Sequence, residues 1–443
     1  MSITFPVEND VFFCYIYAMM KIEKTILIFM LPLLFTSFVF SQEQGTSEKE
    51  ETEEAIIREI KIDGLKKTRD SYMQQILKKY KDMPESQVDT VEVETLLHEQ
   101  NLFSEIDVEI RHNENDELQL HVTVKEKISF LPLPFIAYSS QTGVMGGIML
   151  MDTNAFGVKD NYIVGGIFSR DMQMGVMSFS KPSLSLTKPG FTISANFAHR
   201  GNTYQDSHQK DMLEFSSIGG GAGIAITDKL TEHTSASVGL RYAYRNIDVD
   251  SSSKAYEDEL KTHHAFTINA GWGLSIPVHN DWFLSTKSLK VSGDAVFFTT
   301  GEKAQSITGQ ISIQQPLPIT RLRLLGQVSV LYTHDANKVL WPTQNAVGVS
   351  IMPAKFHAPQ MGGFTCGLEV GLARTSIATF SVYGLYEGIV TKDWDDERIV
   401  HQGYSAGAKM YLSKISFPAM SLGFFHNVTT NRMKFTVSAG MSY

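Results

Sequence analysis

From residue 134 to its end the chain repeats one pattern: short stretches in which apolar and polar residues alternate, separated by polar or glycine- and proline-containing breaks. Successive side chains of a strand point to opposite faces, so a period of two implies strands with one apolar and one wet face. Sixteen such segments can be marked, at 134–142, 143–154, 161–170, 172–180, 191–199, 211–226, 234–246, 262–276, 286–299, 304–315, 320–333, 363–373, 377–390, 400–411, 415–427 and 432–443. No convincing amphipathic helix interrupts them. Their mean repeat of about 19 residues suits a membrane strand of about 9–11 residues plus its turn. The glycine pairs Gly146-Gly147 and Gly165-Gly166 and the run Gly219-Gly220-Gly221 fall where a closing sheet must bend.

Two all-β architectures fit this pattern, a transmembrane barrel and a soluble sandwich, and the connections favour the barrel. If the first strand rises, 200–210, 247–261, 334–362 and 391–399 face one side, while 155–160, 227–233, 316–319 and 374–376 face the other. Long loops on one rim and short turns on the opposite rim are the asymmetry of bacterial outer-membrane barrels, which a sandwich does not predict. Composition agrees. A net charge of -9 argues against a nucleic-acid binder, which needs a basic surface. A mean hydropathy of -0.09 excludes a bundle of apolar helices but not a barrel, whose alternating strands look average in bulk. Beyond the leader, Cys366 is alone, so no internal disulfide and no Cys-x-x-Cys metal site is expected. No cofactor or metal is expected either.

The first 128 residues divide into smaller pieces. Residues 26–40 are apolar but too short for a spanning helix, follow Lys21 and Lys24, and end at a Ser41 exit. That is the layout of a secretory signal peptide over 20–41, with Met20 as its natural first residue and 1–19 as upstream sequence from a misplaced start. The acidic stretch 42–54 reads as a disordered linker. Residues 55–128 then give strand, helix, helix, strand, strand. Ile56, Ile57, Ile60 and Ile62 lead to a turn at Asp63-Gly64. Tyr72, Met73, Ile76, Leu77 and Tyr80 have helical spacing, as do Val88, Val91, Leu96 and Leu97 over 85–102. Ile106, Val108 and Ile110 alternate, as do Leu118, Leu120, Val122 and Val124.

The strand Ile60-x-Ile62-x-Gly64, the Leu102-Phe103 stretch running into Val108, and the closing Val124-x-Glu126 resemble a POTRA domain. With the barrel pattern, residues 56–443 resemble the BamA/TamA outer-membrane assembly family, also called the bacterial surface antigen family. Asn154-Ala155-Phe156-Gly157 is similar to that family's turn after the second strand, and Phe179-Ser180-Lys181-Pro182 to its turn after the fourth. The last strand sets Phe435, Val437, Ala439, Met441 and Tyr443 on one face, similar to the β-signal by which outer-membrane proteins are recruited for assembly.

The resemblance implies an α+β POTRA module in the periplasm, followed by an all-β 16-stranded antiparallel transmembrane β-barrel in the cell outer membrane. It implies insertion or translocation of outer-membrane proteins by strand pairing, at the POTRA sheet edge and at a weak seam between 134–142 and 432–443. Unfolded outer-membrane protein clients, outer-membrane lipid, and periplasmic accessory proteins or lipoproteins are the partners expected, with no nucleic acid.

The family also carries an arginine-glycine-aromatic motif near the end of its long sixth outer loop, folded into the lumen and paired with an acid on the thirteenth strand. Here that stretch reads Met361-Gly362-Gly363-Phe364, with Gly362 where arginine is expected, and 382–388 lacks the expected aspartate. Glu387 and Glu369 are the alternative acids. Their loss together favours a second reading, a passive channel or structural surface barrel without insertase activity. An enzyme is not expected. The neighbours His263-His264 point to opposite faces of a strand and cannot form one site, and the charged run 393–398 is a solvated loop tip before it is a cation site.

Overall fold

A computed structural model describes residues 55–443 except 183–188, 250–259, 281, 318–320, 335–337, 376–377, 393, 395–396, 413–417 and 440–443. The expected signal peptide, the linker, and the terminal Met441 and Tyr443 lie outside the described residues.

The first part is a small α+β module of three strands and two helices. β1 (Glu59–Asp63) is followed by α1 (Asp70–Leu77), α2 (Thr90–Glu99), β2 (Phe103–His112) and β3 (Leu118–Glu126). The sheet order is β1-β3-β2, with β1 parallel and β2 antiparallel to the central β3. One core holds it together: Ile60, Met73, Leu77, Tyr80, Leu97, Leu102, Phe103, Val108, Leu120, Val122 and Val124 are buried, and Ile62 packs at its margin. The second helix is shorter than its apolar spacing suggested. Residues Glu85–Gln87 form a single 3-10 turn, and Asp89 caps α2 by accepting the amide of Val91. That start turns Val91 outward, 65% exposed, and buries Val93 in its place.

Gly64 is required by its backbone. Its φ is +92°, and a Cβ there would overlap the carbonyl oxygen of Val124. The turn thereby brings the next three amides against one carboxylate. Glu126 accepts from Lys66, Lys67 and Thr68 at 3.1, 2.9 and 2.7 Å. Partial burial works against the Glu126 charge, but these hydrogen bonds outweigh it and hold the carboxyl below its ordinary pKa.

The remaining sixteen strands, β4 (Phe130–Ser139) to β19 (Arg432–Ala439), form one closed antiparallel barrel in which every strand pairs with its chain neighbours and β19 returns to β4. All sixteen expected segments are strands, with shifted ends. The first begins at Phe130 rather than at 134. Pro132 and Pro134 therefore lie inside it, opposite Leu150 and Ile148 of β5 (Gly143–Asp152), ahead of the Ile136–Ser139 stretch that pairs with β19 among the described residues.

β8 (Gly190–Gln205), β9 (Asp211–Lys229), β10 (Thr234–Val249) and β11 (His263–His279) run further than expected, which turns residues 200–205 and 247–249 from loop into strand. Nineteen residues of β9 at about 3.3 Å each reach roughly 60 Å, well past a bilayer core of about 30 Å. The rim asymmetry is carried by two long connections, 250–262 and 335–359. Beyond the wall the extended hairpins build their own small core of Tyr204, Leu213, Phe215 and Leu260.

Alternation assigns the two faces. Val238, Leu240 and Tyr242 of β10, and Phe266, Ile268 and Trp272 of β11, are exposed on the outer wall, and every other strand adds to this band. A continuous apolar belt of that extent belongs in lipid rather than in water. The intervening residues face the lumen. Among the described residues no helix is long and apolar enough to cross a membrane, so the strands do the crossing.

Candidate functional site in the lumen and at the seam

Three places on this frame carry polar groups that the wall alone does not require. The first is the junction between module and barrel. The turn after β5, Asn154-Ala155-Phe156-Gly157, docks on module residues 66–69. Buried Asn154 donates to Thr68 Oγ1 at 2.9 Å, Lys67 Nζ reaches Asp152 at 2.6 Å, and the Arg69 amide donates to the Gly157 carbonyl at 2.9 Å. Gly157 has φ +79°, and a Cβ would overlap the Lys67 carbonyl. Buried Asp160 closes the turn by accepting from Phe156 and Val158. The motif is thus a docking turn, and asparagine and glycine are the residues its geometry needs.

The second is the loop 335–359 between β14 (Leu322–His334) and β15 (Gln360–Arg374). Its described part, 338–359, folds into the lumen and packs against one side of it. Val347, Val349, Met352, Phe356 and Ala358 are buried, packed with Leu331 of β14, Met361 of β15 and Ile389 of β16 (Ala378–Lys392). Gln344 staples the loop to itself, donating to the Met352 carbonyl and accepting its amide, both at 2.7 Å. The walls hold it from several sides. Glu387 of β16 accepts the Ser350 amide at 2.6 Å, and Lys434 of β19 reaches the Met352 carbonyl at 3.2 Å. Asn427 of β18 (Pro418–Asn427) donates to the Ile351 carbonyl at 3.4 Å. Gln141 takes the Ala354 amide at 2.7 Å, and His357 stacks on Tyr204 of β8 with ring centroids 3.6 Å apart. Burial pushes the His357 imidazole down to about 4, so it is neutral at physiological pH.

Met361, Gly362, Gly363 and Phe364 do not lie in this loop. They are the first residues of β15, paired with Leu331, Val330, Ser329 and Val328 of β14. The expected lumenal motif is a strand start, because the plug is made by the residues before it. Gly363 is nonetheless used: a Cβ there would press on Val347 and Val349 of the plug. Of the two acids weighed for the missing aspartate, Glu387 meets the loop through a backbone amide instead of an arginine. Glu369 on β15 has a different partner. Arg323 of β14, directly across the ladder, contacts it at 2.7 and 3.1 Å. Ser381 and Tyr411 also donate to Glu369, at 2.5 and 3.0 Å, and the Arg323 guanidinium lies 4.5 Å from the Phe283 ring centroid. Arg323 was not singled out in the sequence. Its signal is an arginine at an inward position of an apolar-outward strand.

The third place is the closure of the barrel. β4 and β19 share four register pairs among the described residues, Ile136–Ala439 to Ser139–Thr436, extended by the Ser140 amide donating to the Phe435 carbonyl at 3.1 Å. By comparison β16 and β17 (Arg398–Leu412) share fifteen. Of the β-signal residues, Phe435 and Val437 face outward, with Phe435 beside Tyr138 across the closure at 5.4 Å, and Ala439 ends the described strand at a half-buried position.

His263 and His264 diverge: His263 packs edge-on against lumen-side Phe298, while His264 joins outward Tyr242 through a 2.6 Å hydrogen bond. Among the described residues no cluster of His, Cys, Asp and Glu has the arrangement of a metal site. Part of the charged run 393–398 lies outside the described residues.

Residues 154–345 match the Omp85 superfamily domain. No curated protein matches the chain in sequence. Among solved structures, the crystal structure of BamA from Haemophilus ducreyi lacking POTRA domains 1–3 superposes with a TM-score of 0.58 at 12% identity, covering 87% of this chain and 85% of that one. CdiB from Acinetobacter baumannii gives 0.60 at 11% identity, over 87% of this chain and 74% of that one. CdiB from Escherichia coli gives 0.59 at 13% identity, over 88% and 77%. At such identities the likeness is one of fold.

Proposed function

We propose that this chain, whose residues 154–345 match the Omp85 superfamily domain and whose fold is like that of BamA, is an outer-membrane β-barrel that assists the insertion or translocation of other outer-membrane proteins by lending them backbone edges to pair with. The observation that carries this reading is the closure between β4 and β19, which has four register pairs among the described residues. Unpaired backbone groups in hydrocarbon cost several kcal/mol each, so a short closure is a place where an incoming strand gains most by pairing. The module, read as a single POTRA domain in the periplasm, offers two more edges, since β1 and β2 each pair only with β3 within its sheet. An extended client segment can add to either by β-augmentation, with main-chain hydrogen bonds supplying affinity.

No nucleotide, metal or covalent intermediate is needed for that exchange. Client strands, outer-membrane lipid and periplasmic accessory proteins or lipoproteins are the partners. Depleting the protein and following the amounts of other barrels in the outer membrane tests the role: client levels fall if it is right, and unaffected levels refute it.

One observation favours a second reading, that of a passive channel or structural surface barrel. Gly362 stands where the family's arginine is expected, and Glu387 receives an amide rather than a cation. Planar-bilayer recordings with and without residues 334–362 separate the two: steady conductance by the intact chain supports the channel, and conductance only after deletion supports a plugged assembly factor.

A further inference from the structure

Beside the plug, at the rim away from the module, the lumen keeps a chamber of about 620 Å³. Its wall is built by β8, β9 and β10. β9 gives Ser217, Gly219 and Gly220 to the lining, and its next inward positions are Gly221 and Gly223, so beyond Ser217 the middle strand presents backbone without side chains. Arginines stand on both flanks of that bare strip. Arg200 is on β8, and Arg241 and Arg245 are on β10, with Arg245 paired across to Gly219 and Gly219 across to Ala198. Lys355 and neutral His357 of the plug complete the lining.

These cations are poorly matched by what surrounds them. The Arg200 Nε is buried and has no hydrogen-bond partner, and its Nη2 meets only the thioether of Met174 at 3.1 Å. Arg241 donates to the neutral amide oxygen of Asn196 at 2.9 Å. The chamber's own carboxylate, Asp171, is already engaged by Lys355 at 3.8 Å and Arg170 at 3.9 Å. Among the described residues none of the three arginines has an ion pair. Elsewhere in the same lumen the chain does neutralise its arginine, as Arg323 with Glu369 shows.

We propose that this chamber is a binding site for a phosphate group. Guanidinium forks match phosphate oxygens with paired hydrogen bonds, and rings of arginine and lysine are how aqueous pores hold anions. The glycine strip leaves room for a tetrahedral group to lie against the wall between the two arginine-bearing strands. The inward direction of these side chains opens the site to lumenal water rather than to the lipid belt, so a soluble phosphate reaches it directly. The inference rests on the lumen alone and is independent of the assembly reading.

The test uses the mature chain folded in detergent, in chloride buffer, with inorganic phosphate titrated calorimetrically. Arg200→Gln and Arg245→Gln remove chamber donors, and Lys290→Gln on β12 (Leu284–Phe298), outside the chamber, is the control. Folding of each variant is read from heat-modifiable migration on gels. Saturable binding by the wild type and by Lys290→Gln, weakened at least about tenfold in either arginine variant, supports the site. A headgroup source of the same chemistry is read by adding lipopolysaccharide to the micelles: an arginine-dependent response there retains the site with that occupant. No saturable binding of either, or equal binding by folded arginine variants, overturns it.

Discussion

Locking the barrel's closure with a disulfide tests the central mechanical idea. Ala137 and Ser438 are register partners across β4 and β19 and face the lumen, so Ala137→Cys with Ser438→Cys places two thiols on directly opposed backbones, within bridging range. Cys366 is replaced by serine in this background to leave a single thiol pair. At about 1 kcal/mol net per hydrogen bond and about one bond per register pair, the four pairs among the described residues hold the closure by roughly 4 kcal/mol. The pairings on either side, β18–β19 with eight pairs and β4–β5 with ten, are held by roughly 8 and 10 kcal/mol on the same count. A gap of roughly 4 kcal/mol leaves about one molecule in a thousand open at rest, a population that a client strand can draw upon. The neighbouring strands stay shut. The oxidised pair therefore lowers the rate at which a radiolabelled client barrel inserts into proteoliposomes by at least about tenfold, and reductant restores it. Oxidised protein that inserts clients as fast as reduced protein refutes the role of this closure.

Other consequences can be checked separately. Arg323→Leu leaves Glu369 charged and buried without its cation, and costs about 3–5 kcal/mol in urea unfolding of the barrel, with the double Arg323→Leu, Glu369→Leu variant recovering much of the loss. Glu387→Ala removes a charge-assisted hydrogen bond to the plug worth about 1.5–3 kcal/mol, and shows as more frequent opening events in planar-bilayer recordings. The Glu126 carboxyl has its pKa depressed on folding, so its contribution is present above the unfolded value of about 4.3 and is lost as pH falls through the folded one. Urea midpoints of the module, followed by near-ultraviolet dichroism of its tyrosines, drop on acidification, and Glu126→Gln flattens the drop.

What the sequence made legible follows from how local each cause is. Strand alternation is written into neighbouring residues, so all sixteen wall strands could be marked. Their ends slipped where the cause lies elsewhere. β8 continues to Gln205 because β9 extends beside it to Asp211, and Phe130 joins β4 because β5 reaches down to Asp152. The docking turn at Asn154–Gly157 was visible as a motif, but its reason, three contacts with residues more than eighty positions earlier, was not. The Arg323–Glu369 pair joins residues 46 apart through a register that only the closed sheet defines. The plug was misplaced by a few residues because a glycine-aromatic pair is a weak marker. The residues that pack into the lumen, Val347, Val349, Ile351, Met352 and Phe356, form no motif and are only side chains that need a dry place.

The docking turn has a mechanical consequence. The module feeds directly into β4 and is bolted, through Lys67, Thr68 and Arg69, to the hairpin made by β5 and β6 (Asn161–Ser169). Any force on the module is delivered to β4 and to the β5–β6 hairpin and not spread around the circumference of the cylinder. β4 is half of the closure, so a pull on the module reaches the join between β4 and β19 first.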